Sequence, residues 1–133
     1  MALASKMRCA IRGSVGSPPG LSMAVMEHGL RDPDLEAAFA ERVAMMGRRA
    51  RTLRDALEAH RSERFNPLPS HGAFFALVQL DQDPDAVRER LVRDYSTGVI
   101  SFASAQSLRI AFCSMTEDGI PELVRRIVAS LDG

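Results

Sequence analysis

Lysine is almost missing from this chain of 133 residues: of its 17 basic side chains, 16 are arginine and only Lys6 is lysine. Chemistry that needs an amine has one candidate. Two cysteines, Cys9 and Cys113, are too few for a disulfide framework or a four-thiolate zinc site, and His28, His60 and His71 do not stand at metal-ligand spacing with them. No bound metal is expected. Excess charge of either sign is lacking too, with 17 basic against 17 acidic residues, so no broad basic field draws the chain to nucleic acid or to anionic lipid. No apolar run approaches the roughly 20 residues of a membrane span, and the opening MALASKMRCAIRG has no apolar stretch of signal-peptide length. The sparse cysteines suit a reducing compartment, and a cytoplasmic location is the expectation.

What is present is ordinary globular composition, 46% hydrophobic and 26% charged, at a length that fits one compact domain or one piece of a larger one. Residues 13–20 read GSVGSPPG, a cluster of chain breakers that predicts a loop. Leu21, Val25 and Met26 then recur at helical spacing, and Gly29 is placed to end that helix in a left-handed cap. Asp32 followed by Pro33 reads as an N-cap and first helical residue. Leu35, Phe39, Val43, Met46, Ala50, Leu53 and Leu57 follow in steps of four and three, a helix of about seven turns. That exceeds the usual helix of a small domain, so it should bridge two bodies. Its other faces mix Arg42, Arg48, Arg49, Arg51 and Arg54 with Glu36, Glu41 and Asp55. They read as solvated surface, since no aromatics interleave for base stacking.

The pattern changes at Asn66-Pro67-Leu68-Pro69, an extended connector because residues before proline avoid the helical region. Residues 73–80, AFFALVQL, form a nearly continuous apolar run, expected as an interior strand covered on both faces. Asp83-Pro84 opens a helix with Val87, Leu91 and Tyr95 inward. Residues 98–102 and 108–113 read as two strands joined through the polar turn 103–106, a hairpin. Thr116 or Asp118 should cap a last helix whose Ile120, Leu123, Val124, Ile127 and Leu131 form an apolar stripe. The expected fold class is α/β, an α+β sandwich: a small, mostly antiparallel three-stranded sheet with helices packed on one side, preceded by the long helix.

Arg109 is the first candidate for chemistry. On the strand SLRIAFC, Leu108, Ile110 and Phe112 alternate onto one face, and Arg109 shares the other with the small Ser107, Ala111 and Cys113. A guanidinium with space beside it suits two-point capture of a carboxylate or phosphate. A surface arginine paired with an acidic neighbour fits the same spacing, and both readings stand at this point. Arg12 ahead of the breaker loop is a weaker anion contact. No Gly-Lys-Ser/Thr comes after that loop, which excludes the phosphate-cradling pattern. His71 reads as a capping or packing residue, and both cysteines as packing residues.

The segment MRCAIRGSVGSPP from Met7 to Pro19, the strand HGAFFALVQL and the closing SLRIAFCSMTEDGIPELVRRIVASL resemble, in order and spacing, the C-terminal part of class I/II aminotransferases. These are fold-type I pyridoxal-phosphate enzymes, and the aspartate aminotransferases are the similar branch. The resemblance covers essentially the whole chain. It implies that residues 1–31 end a large cofactor-binding domain, 32–62 form the interdomain helix and 63–133 the small C-terminal domain. It implies further that Arg109 takes the substrate's α-carboxylate, that Arg12 reaches a side-chain carboxylate in the partner subunit, and that Gly72 and Phe74 place the first strand beside the substrate. The partners implied are an amino acid and a keto acid, in a homodimer, with pyridoxal phosphate as cofactor of the parent.

In that family the Schiff-base lysine is followed eight residues later by an arginine for the cofactor phosphate, whereas Arg12 comes six after Lys6. Lys6 is therefore not that lysine, and the chain reads as a fragment that cannot transaminate alone. Two other classes stay open: the ligand-sensing domain of an aminotransferase-like transcription regulator, and a freestanding interaction module.

Overall fold

The computed structural model describes residues 2–16, 19–70 and 74–132. Its chain divides into two units, Met1–Glu41 and Arg42–Gly133.

The first unit holds α1 (Leu3–Ser14), α2 (Gly20–Leu30) and the first turns of α3 (Leu35–Ala59). α1 was not expected from the sequence, and it replaces the first part of the predicted loop. Leu3, Met7 and Ile11 repeat every four residues and mark one apolar face. Gly29 is not a left-handed cap: α2 runs one residue past it, and Arg31 ends the helix with ordinary backbone angles. The Asp32 carboxylate does cap the turn leading into α3, accepting from the Asp34 backbone N–H at 2.9 Å. None of the described residues up to Glu41 is buried.

In the second unit the sheet has four strands instead of three. They are β1 (Phe65–Pro67), β2 (Phe75–Leu80), β3 (Ile100–Phe102) and β4 (Ser107–Ala111), ordered β1-β2-β4-β3 and all antiparallel. The extra strand is the expected connector. Its residues before proline are already extended, and proline, which has no N–H to donate, is tolerated on an edge. Phe65 is buried and pairs with Leu80.

One face of this sheet carries the core. Ala76, Val78 and Leu80 of β2 and Leu108 and Ile110 of β4 meet Leu53 and Leu57 of α3, Val87 and Leu91 of α4 (Pro84–Tyr95), and the full expected stripe of α5 (Gly119–Ala129) continuing to Leu131. The helices thus sit on one side, as expected. The long apolar run misled in one respect: β2 alternates exposed and buried, so it is covered on one face only. Periodicity along α3 is right, yet only its C-terminal half reaches the core, and Leu35, Phe39 and Val43 are exposed.

Local chemistry sets the ends. Asp83 accepts from the Asp85 N–H at 3.0 Å and Pro84 opens α4, as the sequence predicts. Asp118 holds the N-cap position of α5 without a side-chain cap bond, and its carboxyl, hydrogen-bonded to the Thr116 side chain, is held below its ordinary range. The turn between β3 and β4 is a short 3-10 segment, Ala103–Ala105, closed by Gln106 at φ 46°. Two arginines expected as solvated surface bind instead. Arg49 donates to the Cys113 carbonyl at 2.6 Å and Arg48 pairs with Glu117 at 3.3 Å, fastening α3 to the stretch before α5.

Candidate functional site

The face of the sheet away from the helices is built by the same alternation that builds the core. Asn66, Phe75, Leu77, Gln79, Ile100, Phe102, Ser107, Arg109 and Ala111 share it by register. Arg109 stands at its centre. It pairs with Leu77 on β2 and with Ile100 on β3, while Phe75 and Phe102, opposite Ala111 and Ser107, are its diagonal neighbours.

The expected small surroundings are therefore corrected. Ser107 and Ala111 are small along the strand, but the neighbours across it are large and apolar. The Arg109 guanidinium carbon lies 4.3 Å from the Phe75 ring centroid and 5.7 Å from that of Phe102. These are cation–π distances. Both rings remain over one-third exposed, at 40% and 38%.

Arg109 has no acidic and no hydrogen-bonding partner among the described residues, although its Nε is buried. Most arginines of this unit are engaged: Arg61 forks onto Glu58 with two contacts of 2.7 Å, Arg64 pairs with Asp132 at 2.7 Å, and Arg126 reaches Glu122 at 2.7 Å. The Ser107 Oγ, on the same face, is also buried without a partner. A buried donor left unpaired costs free energy until something accepts from it. Beside Arg109 opens a cavity of about 400 Å³ whose walls include Thr97, Val99, Ile100, Ser114 and Met115. Arg109 is its one charged lining residue among the described residues. This arrangement can hold an anion, and the two-donor fork of arginine matches a carboxylate.

The other sequence candidates are placed less closely. Phe74 is exposed just ahead of β2, its carbonyl accepting from the Phe112 N–H at 3.2 Å. Gly72 and His71 lie outside the described residues. Arg12 belongs to the first unit, in the last turn of α1, where a cation favours the helix dipole. Lys6 is exposed on α1. Cys9 is exposed rather than packed, and Cys113 is half-buried. Phe75 and Phe102 were not singled out from sequence, because the strand register that brings them to Arg109 is not written in local spacing.

Among the described residues no group of three or more histidines, cysteines or acids could hold a metal ion, and no helix is long and apolar enough to cross a membrane.

The family model for aminotransferase class I and II matches residues 2–127. Among solved structures, the α-aminoadipate aminotransferase LysN from Thermus thermophilus, complexed with N-(5'-phosphopyridoxyl)-L-leucine, superposes with a TM-score of 0.79 at 19% identity, over 98% of this chain and 35% of that one. The aspartate aminotransferase of Thermus thermophilus, as its tetra mutant 1, gives 0.73 at 21%, over 93% and 35%. The aromatic aminotransferase of Pyrococcus horikoshii OT3 gives 0.73 at 15%, over 91% and 34%. The chain thus spans about one-third of the length of each. No curated protein matches.

Proposed function

The chain belongs to the class I and II aminotransferase family, and on that premise we propose that it is the C-terminal part of an enzyme transferring an amino group between an amino acid and a 2-keto acid, with Arg109 holding the substrate's α-carboxylate. The observation that carries this is the half-buried guanidinium of Arg109, without an acidic partner among the described residues, at a cavity whose other described lining residues are uncharged. The bland alternative of a surface ion pair lacks its acid among the described residues.

On this reading pyridoxal phosphate is the parent's cofactor, the group whose leucine adduct the LysN structure holds. It supplies the electron sink of the reaction. The described residues here do not form its seat. Imine chemistry needs a lysine amine at the reacting centre, and the single lysine, Lys6, is exposed on α1. The chain alone is therefore inactive, and its contribution is positional: Arg109 fixes one end of the substrate by two parallel N–H bonds, which restricts how the α-carbon is presented. Residues 1–31 belong to the cofactor-binding domain, 32–62 to the interdomain helix and 63–133 to the small domain. Arg12, Gly72 and Phe74 are assigned to the substrate region by the family pattern. The parent is a soluble homodimer acting in the cytoplasm.

Arg109→Lys in the full-length parent is the test. A charge-assisted, two-point contact is worth about 1.5–3 kcal/mol, and lysine cannot reproduce the planar fork. kcat/KM for the amino acid should fall roughly ten- to a hundredfold, with cofactor affinity unchanged. Loss of cofactor with intact substrate affinity, or an unfolded variant, would make Arg109 a structural residue and sink the assignment.

A further inference from the structure

Four apolar side chains from two neighbouring strands surround Arg109, and two of them are rings within cation–π distance of its guanidinium. An arginine on an open sheet face would ordinarily sweep through many rotamers. Here Phe75 comes from one side of β4 and Phe102 from the other, because β4 lies between β2 and β3. Rings at cation–π distance on either side restrict the rotamers open to the guanidinium, whose donors point outward in its own plane. Nε is buried and the residue as a whole is half-buried, so the open donors are those of the two terminal nitrogens. A carboxylate can meet these two end-on.

Resting on the carboxylate reading of Arg109, we infer that Phe75 and Phe102 are positioning residues that pre-orient this guanidinium, and that the substrate whose α-carboxylate it takes has an apolar side chain rather than one bearing a second carboxylate. The walls carry the second part. Leu77, Ile100, Phe75 and Phe102 on the sheet face and Val99 and Met115 in the cavity are apolar, the Thr97 hydroxyl is engaged by the Tyr95 carbonyl and Arg126, and the remaining hydroxyls, Ser96 and Ser114, bring no second cation. A second carboxylate placed there would lose water without gaining a charged partner. The volume of about 400 Å³ accommodates a branched aliphatic side chain. Pre-orientation strengthens binding by sparing the ligand the cost of ordering the arginine.

The Arg109 Nε–H, shielded from solvent, gives a direct reading in the nitrogen–proton NMR spectrum of the 15N-labelled chain. Acetate, 4-methylvalerate and glutarate are titrated in turn at constant ionic strength. The expected result is a saturable shift for 4-methylvalerate, with acetate and glutarate at least about threefold weaker. Phe75→Leu and Phe102→Leu should each weaken 4-methylvalerate roughly three- to tenfold, while Phe102→Tyr restores it. Both rings are partly exposed, so the leucine variants should keep the backbone spectrum that certifies the fold. Leucine variants that bind as the wild type does would overturn the positioning role, and glutarate binding as tightly as 4-methylvalerate would overturn the apolar side chain. If no probe gives a saturable shift, or if the backbone amide shifts that accompany the titration persist unchanged in Arg109→Gln, the carboxylate reading itself falls, an outcome distinct from failure of the rings alone.

Discussion

At the scale of single residues, what an arginine does depends on whether its chain gives it an acid. Arg61 and Arg109 show the two outcomes. Arg61 donates from Nε and Nη2 to the two carboxylate oxygens of Glu58 at 2.7 Å and from Nη2 to the Pro67 carbonyl at 3.0 Å, joining the end of α3 to β1. That hydrogen bond holds the Glu58 carboxyl below its ordinary range. A carboxylate whose folded pKa is depressed stabilises the fold above its unfolded value, and this is lost as pH falls through the folded one. Wild type should therefore melt above Glu58→Gln at neutral pH, the difference closing on acidification below about pH 4. Thermal denaturation across pH checks this, and a constant difference would refute it. Arg109 was legible in the sequence as a residue of interest, because alternation placed it opposite the core. The rings beside it were not, since they lie on other strands and only the register brings them near.

At the scale of elements, apolar periodicity was read correctly wherever a helix packs. α4, α5 and the C-terminal half of α3 bury the stripes that their spacing defines. Local patterns misled where tertiary context decides. A short connector became β1 because an antiparallel neighbour was available, and an apolar run in β2 did not reveal that one of its faces stays uncovered. α1 carries a readable four-residue repeat, Leu3, Met7 and Ile11, that the sequence reading did not use, and only its last two residues fall in the loop expected over 13–20. The one-sided covering of β2 makes neighbouring positions unequal. Val78 is fully buried and Leu77 is partly exposed beside Arg109. Val78→Ala should cost about 1.5–3 kcal/mol through lost burial and the cavity left behind. Leu77→Ala should cost less than about 1 kcal/mol, the scale of a cross-strand pair. Denaturant midpoints separate these, and equal losses would mean that both faces of β2 are packed.

At the scale of the whole molecule, the two units differ in how their apolar side chains are used. The second has a continuous core. The first buries none of its described residues, although Leu3, Met7 and Ile11 line α1 and Leu35 and Phe39 line the start of α3, a stripe that Val43 continues just beyond the unit. Helices of this length are marginal in water without packing, and contiguous exposed apolar faces mark contact surfaces. Under the proposed function, the rest of the parent supplies the cover, consistent with a chain that spans 35% of LysN. Alone, this chain has only another copy of itself. Sedimentation equilibrium should then show concentration-dependent association in the micromolar range. The double variant Phe39→Glu, Val43→Glu should shift it to monomer, because like charges on the stripe oppose close packing of two apolar faces. Both residues are exposed, so unfolding of the second unit's core should be unchanged in the variant. A monomer at every accessible concentration would mean that the stripe is solvated as it stands, and the apolar repeat along the first turns of α3 would then need another explanation.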